Sequence, residues 1–433
     1  MCALAARRVL VDLASHRRVV ITGIGAITPL GMGREGLWEG VRQGQPAARR
    51  ITRFDPSAFR SQVAAEIDGF EPTDYMEART ARRLDRFSHL AIAASRQALA
   101  DAGLDGTDLA GVGTAIYLGS ALGGIGFAEA QHQRFLASGI QTVEPSLALA
   151  VFGGAGASNV AIEVGWCGPT IGNANSCASG LIAIGEAFRL IRAGSAEVAL
   201  AGGVEAPLAP LTFGAFDRIR ALTNRNHPAP AACRPFDRAR AGFLMAEGAG
   251  MLVLEELGHA LARGVHPYAE VLGYGTTNDA FHMTAPLPTG QQAARAMALA
   301  LQEAGLSPGA IDYVNAHATG TPLGDAAEAL AIRLALGDHA AQVPVSSTKG
   351  LHGHALGASP AIEVAITVLA LERGWLPPTA NLVDPDPACQ VRHVEPGGEE
   401  RRIHYAVKNA FGFGGINASL VLRRWQAEQG QGQ

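Results

Sequence analysis

Apolar positions along this chain fall into two rhythms. Short continuous apolar runs bounded by glycine predict buried strands at 18–25 (RVVITGIG), 112–120, 198–200, 249–255, 268–274, 311–315, 343–346, 405–410 and 416–422. Apolar residues three and four apart predict helices over 84–103, 291–304 and 324–336, and a long one reaching Arg373. Another starts directly after Cys177, with Leu181, Ile184, Phe188 and Ile191 in its apolar pattern and Gly194 as its stop. Residues 127–170 mix helical pieces with glycine and read as an insertion over the core, and 204–240 read as loop.

The order of these elements repeats. From about residue 266 the succession begins again, and the helices after Cys177 and after His354 occupy matching places. An α/β protein of two duplicated halves is expected, 18–265 with insertions and 266–425, with helices layered on sheet. Gly23 and Gly25 invite a dinucleotide-binding reading, but Thr28 stands where that fingerprint needs a third glycine.

Composition removes several classes. The chain has 433 residues, 48% of them hydrophobic, enough for a large core. A net charge of −4 without any Lys/Arg run gives no footprint for nucleic acid. No apolar run approaches the ~20 residues of a membrane span. The five cysteines, Cys2, Cys167, Cys177, Cys233 and Cys389, are odd in number and irregularly spaced, with no C-x-x-C pair. That pattern argues against zinc and against a disulfide framework, and a reducing cytoplasm is expected. Residues 1–18 are basic with one acid, Asp12, and read as a disordered or misassigned start, or a weak transit peptide, rather than a secretory signal.

Candidate chemistry starts at 173–180, NANSCASG, which sets Cys177 among small residues at the mouth of a helix. Free N–H groups and the positive helix end favour a thiolate there. Alone, the pattern fits a buried structural cysteine equally well. Three later stretches change the balance. In 315–321, NAHATGT, a strand delivers His317 to a loop bearing Thr319 and Thr321. In 346–354, SSTKGLHGH, Lys349, His352 and His354 precede a helix. In 409–415, NAFGFGG, glycines let backbone N–H groups approach a ligand while Phe411 and Phe413 wall off water. His352 and His354 lack the accompanying ligands of a metal site, so no metal is expected. A thiol, two glycine-flanked histidines and a glycine-rich donor loop suit acyl transfer.

In this order, SCASG, NAHATGTPLGD, SSTKGxxGH and FGFGG resemble the elongating β-ketoacyl-acyl carrier protein synthases, the Cys-His-His condensing enzymes of the thiolase fold. The likeness runs from about Arg18 to Leu422. It implies a layered αβαβα body with cap insertions, and a decarboxylative Claisen condensation of malonyl-ACP with an acyl group carried on Cys177. A fatty-acid or polyketide chain would grow by two carbons. By the same resemblance, His317 and His354 would bind the malonyl thioester carbonyl as carbon dioxide leaves. Lys349 would order the network behind them with Glu328, and Asp325 would belong to that supporting layer. Thr319 and Thr321 would hydrogen-bond the pantetheine arm. The N–H groups of Cys177 and Phe413 would form the oxyanion hole, with Phe413 as a gate and Phe411 beside the substrate. Leu122 would line the acyl pocket. Substrates would arrive on the phosphopantetheine arm of acyl carrier protein, with no cofactor of the enzyme's own. Two chains would pair, as a homodimer or, in a polyketide system, with a homologous subunit.

The sequence departs from that pattern at several positions. Ser176 stands where alanine is usual, His352 where threonine is usual, Ala318 and Ala246 where glycine is usual, Ala241 for aspartate and Ile416 for threonine. These bear on substrate choice more than on activity. Among rivals, an initiating synthase would carry asparagine in place of His354. A thiolase needs a second cysteine in a setting that Cys389 lacks. An α/β-hydrolase elbow is absent because Asn175 precedes Ser176. A non-elongating partner subunit of the chain-length-factor kind would have replaced Cys177.

Overall fold

The two predicted halves fold into the same succession, except that the second adds one short edge strand, Arg392–His393. The computed structural model describes residues 17–104, 109 and 113–426; residues 1–16 of the basic start, Cys2 among them, and Val112 of the predicted 112–120 strand lie outside these. The first half runs β1 (Val19–Thr28), α1 (Arg86–Asp101), β2 (Thr114–Gly119), α2 (Ala155–Val164), β3 (Thr170–Asn173), α3 (Ser179–Arg192), β4 (Val198–Glu205) and β5 (Gly248–Glu256). The second runs β6 (Ala269–Asn278), α4 (Gln291–Ala304), β7 (Tyr313–Asn315), α5 (Pro322–Leu336), β8 (Pro344–Ser346), α6 (Ser359–Arg373), β9 (Arg392–His393), β10 (Tyr405–Gly412) and β11 (Ile416–Arg424).

The main sheet is ordered β9-β8-β7-β10-β11-β6-β1-β5-β4-β2-β3. Outward from its centre, β1-β5-β4-β2-β3 mirrors β6-β11-β10-β7-β8. Strand senses also match, antiparallel at the first two junctions and parallel at the next two. Antiparallel pairing of β1 with β6, Val19 opposite Val271, fuses the halves.

Helices α3 and α6 touch each other and strands of both halves, so they form the middle layer. Outside, α1 covers β1, β5 and β4, and α4 covers β6 and β11. The result is the αβαβα layering that the resemblance implies. Helix α6 is buried from Ser359 through Leu371, as a helix walled by sheet on both sides must be. Asp85 caps α1 by accepting the Ser88 N–H at 3.2 Å.

Gly23 and Gly25 have a packing role. A Cβ on either would stand 2.2 Å from the Ala98 carbonyl oxygen or 1.9 Å from that of Ala94, both on α1. Gly273 and Gly275 do the same for α4, against the carbonyl oxygens of Ala300 and Ala296. Each half therefore lays its first helix directly on a glycine-cleared strand.

One expectation needs correction. The 127–170 tract is not wholly an insertion. Its later part supplies α2 and the edge strand β3, and the helices Ile125–Ser138 and Leu147–Ala150 precede them. Strand β3 is four residues, TIGN, too short and too polar to show a strand pattern.

Candidate active site

The topology brings the chemistry-bearing stretches to one end of the parallel strands. Strand β3 ends at Asn173, whose side-chain amide donates to the Ser179 carbonyl at 3.1 Å and pins the turn between. In that turn Ser176 takes φ 52°, and Cys177 sits in a single 3-10 turn immediately before α3. Strand β7 delivers His317, and the loop after β8 delivers His354.

The backbone around His317 is clamped from α5. Glu328 accepts the N–H groups of His317 and Ala318 at 2.8 and 2.6 Å. Asp325 accepts those of Thr319, Gly320 and Thr321 at 3.1, 3.1 and 3.3 Å, and that of Phe236 at 2.8 Å. The Thr319 and Thr321 hydroxyls lie 3.2 Å apart. His354 is held through Nδ1, 3.0 Å from the Ser359 Oγ, which also accepts the Ala355 N–H at 2.8 Å. When the serine hydroxyl donates to Nδ1, the neutral ring carries its own proton on Nε2.

The rings of His317 and His354 meet edge to face with centroids 5.4 Å apart. Both line a cavity of about 290 Å³ together with Cys177, Thr319, Thr321, Phe411 and Phe413. Phe413 stacks on Phe216 at 6.3 Å, Phe216 meets Phe243 edge-on at 5.9 Å, and Phe243 meets His354 at 5.2 Å. This aromatic chain dries one wall of the cavity.

Burial sets the protonation states. It holds both imidazoles well below the usual histidine range, with the Lys349 charge adding to the effect. Both rings are neutral at physiological pH. Burial also pushes the Cys177 thiol up to about 11, against the Ser176 hydroxyl, the Lys349 charge and the Phe413 N–H. Desolvation thus outweighs the donors, and the resting residue is a thiol rather than the thiolate that its helix-mouth position suggested.

Behind the histidines lies a fully buried charge cluster. Lys349 pairs with Glu363 on α6, and Lys408 on β10 reaches the other oxygen of Glu363 at 2.8 Å. Lys408 also donates to the carbonyls of Asn315 and Ala316 at 3.5 and 3.4 Å, on the approach to His317. The direct ion pair of Lys349 is with Glu363, and the lysine acts on Glu328 only through its charge. Glu328 faces backbone amides instead, and Lys349 does not reach the cavity. Leu122 does not line it either. Its side chain packs on the apolar cluster containing Cys177, Phe213 and Leu356, and its N–H donates to Glu205 at 3.0 Å. Among the described residues there is no group of three or more His, Cys, Asp or Glu side chains able to hold a metal ion.

The family description "Beta-ketoacyl synthase, N-terminal domain" matches residues 16–260, and "Beta-ketoacyl synthase, C-terminal domain" matches 268–383. The chain belongs to the β-ketoacyl synthase family. Over 410 residues it is 42% identical to 3-oxoacyl-[acyl-carrier-protein] synthase 2 of Synechocystis sp., covering 95% of this chain and 99% of the relative. Among solved structures, a type II polyketide ketosynthase in complex with its acyl-carrier protein superposes with a TM-score of 0.88 at 32% identity. The ishigamide ketosynthase/chain length factor gives 0.89 at 36%. Each comparison covers 95% of this chain and 100% of the other.

Several residues of this β-ketoacyl synthase site escape sequence reasoning. Glu363 is the one carboxylate in the buried span of its helix, and Lys408-Asn409 are two polar residues in a buried strand. Both signals were legible, since a polar group inside an apolar run needs a partner. Glu205, at the end of β4, accepts the N–H groups of Ala121, Leu122 and Gly357 at 2.7, 3.0 and 3.0 Å. It joins the turn after β2 to the approach of α6, a contact that no local pattern announces.

Proposed function

We propose that this β-ketoacyl synthase, an elongating acyltransferase, carries its growing chain on Cys177 and uses His317 and His354 to activate malonyl bound to acyl carrier protein. The observation that carries the reading is the shared cavity, in which one cysteine and two neutral, edge-packed imidazoles converge. In the first half-reaction the Cys177 sulfur attacks the acyl thioester. The cysteine proton leaves to solvent, the carrier's C–S bond breaks, and the departing pantetheine thiolate takes up a proton from solvent. In the second, malonyl loses carbon dioxide and leaves an enolate whose oxygen takes hydrogen bonds from the two imidazoles. The enolate carbon then attacks the acyl-Cys177 carbonyl and releases the sulfur.

The supporting roles follow from placement. The Phe413 N–H, already directed at the sulfur, would join the Cys177 N–H around the acyl oxygen. Thr319 and Thr321 would hold the pantetheine arm, and Phe411, 6.0 Å from the His317 ring, would exclude water from the enolate. Lys349 would act on the histidines through Glu363, with Asp325 and Glu328 fixing the loop. Leu122 would border the acyl chain from the apolar cluster around Cys177. The halves 18–265 and 266–425 would supply the nucleophile and the histidines respectively. Substrates would be delivered by acyl carrier protein, which the polyketide ketosynthase of similar fold is seen to bind.

Two copies would pair through β3, the outermost strand of the first half. Among the described residues no helix is long and apolar enough to cross a membrane, and the reaction would take place in the cytoplasm. The non-elongating alternative has less support, because Cys177 is present and opens onto the cavity.

Substitution separates these readings. Cys177→Ala is expected to abolish condensation, while Cys177→Gln keeps decarboxylation of malonyl-ACP. Normal elongation by Cys177→Ala, read from product masses, would overturn the assignment.

A further inference from the structure

We propose that Ser176 is a catalytic residue of the acyl-loading step, its hydroxyl donating to the Cys177 sulfur as the thiolate forms. The Ser176 Oγ lies 3.8 Å from the Cys177 Sγ, within reach of a hydrogen bond to sulfur. Its position is enforced. Ser176 is held at φ 52°, a conformation disfavoured for residues other than glycine. Its carbonyl accepts the Ser179 Oγ at 2.6 Å, which locks the turn. Gly412 comes so close that a Cβ there would lie 3.3 Å from the Ser176 Cβ, so the serine side chain is walled in beside the thiol.

Chemistry gives the hydroxyl its task. The sulfur is buried, and each donor reaching it offsets part of the cost of its negative charge. The Phe413 N–H is one such donor and Ser176 is the other. Lys349 and Glu205 act on the Cys177 sulfur through their charges, and Arg220, Asp279, Glu328, His317 and His354 line the same cavity. None of them is altered by removing the serine hydroxyl. In the loading step the cysteine proton leaves to solvent, the thiolate attacks the acyl thioester carbonyl, the carrier's C–S bond breaks, and the departing carrier thiolate takes up a proton from solvent. Ser176 stabilises the sulfur charge before attack and keeps its own proton throughout.

The proposal rests on the nucleophile reading only in its second test. The first measures alkylation of the full-length protein by iodoacetamide across pH. Adduct on the Cys177 peptide is counted by mass spectrometry, because the exposed Cys167 is alkylated as well. Ser176→Ala and Ser176→Gly are each expected to slow alkylation at neutral pH by roughly three- to tenfold, the size of one ordinary hydrogen bond. At high pH the rates should converge on wild type or exceed it, since a thiolate of higher pKa is the better nucleophile. Glycine also relieves the left-handed backbone. A hydroxyl effect therefore makes the two variants alike, and the glycine variant serves if the alanine variant does not fold. Overlapping profiles for wild type and both variants would overturn the proposal, as would alanine and glycine moving in opposite directions. In the second test, acyl transfer from acyl-ACP to Cys177 should fall by the same factor. Malonyl-ACP decarboxylation in a Cys177→Gln background should be unchanged by Ser176→Ala. If wild type takes no acyl group while the alkylation shift holds, the functional reading fails and the role of the hydroxyl at the sulfur stands.

Discussion

Three buried histidines give this protein an acid limit. His317 and His354 are held well below the ordinary histidine value by burial, and His352 is pushed down to about 4 by the same cause. A histidine that titrates lower in the folded state than in the unfolded one leaves stability untouched above the unfolded value of about 6.5. Below it, the unfolded chain takes up protons that the native state refuses, and stability falls. His352→Gln removes one such proton. Urea titrations between about pH 6.5 and 4 should show a loss shallower than wild type by about 1.4 kcal/mol per pH unit. An unchanged slope would mean that His352 is charged in the fold. A second substitution tests role rather than stability. His317→Ala is expected to cut malonyl-ACP decarboxylation by about 10²–10³-fold while Cys177 is still acylated from acyl-ACP, the cost of one enolate donor. Carbon dioxide release at the wild-type rate would count against it. The histidines were legible because glycine-rich strings flank them. Their protonation was not, because burial is set by residues far away in sequence.

At the scale of the element, α6 shows how one charge organises a buried helix. Glu363 is its sole carboxylate within the buried span, and it answers both Lys349 and Lys408. Glu363→Gln leaves two buried ammonium groups without a counter-ion, which typically costs about 3–5 kcal/mol. Denaturant unfolding should register that loss. The triple change Lys349→Met, Glu363→Leu, Lys408→Met should recover much of the stability but no condensation, because apolar groups of similar volume remove the charges together. If the triple variant is no more stable than the single one, the cluster is not the cause. The sequence showed the polar residues inside apolar elements but not which of them meet, because pairing across the middle layer depends on how α6 crosses β10. The same holds for Gly23 and Gly25. Their pattern falls one glycine short of a dinucleotide fingerprint, and the fold uses them to seat α1 on β1.

For the whole molecule, the repeated succession was readable from apolar rhythm, since both halves carry it in the same order. The sheet edges were not, and they differ. One end closes on β9, two residues long, while the other ends on β3 with an open row of backbone groups. Around β3 the apolar surface is unusual. Ile171 on the strand is 45% exposed, Ile162 on α2 is 79% exposed, and Leu149, Phe152, Phe135 and Leu136 on adjoining segments are also exposed. Open strand edges and exposed apolar side chains invite a partner, and an isologous pairing of β3 with its copy satisfies both at once. Ile162→Asp combined with Ile171→Asp places charge in the middle of that contact and leaves the buried core untouched. Light scattering should give wild type twice the mass of one chain and the double variant the mass of one. Wild type at single-chain mass, or a double variant that still pairs, would show that β3 is not the seam. Because the Gly153–Gly154 backbone beside Phe152 packs against Gly172 of the strand leading to Cys177, the monomeric variant is also expected to load acyl groups more slowly than the dimer.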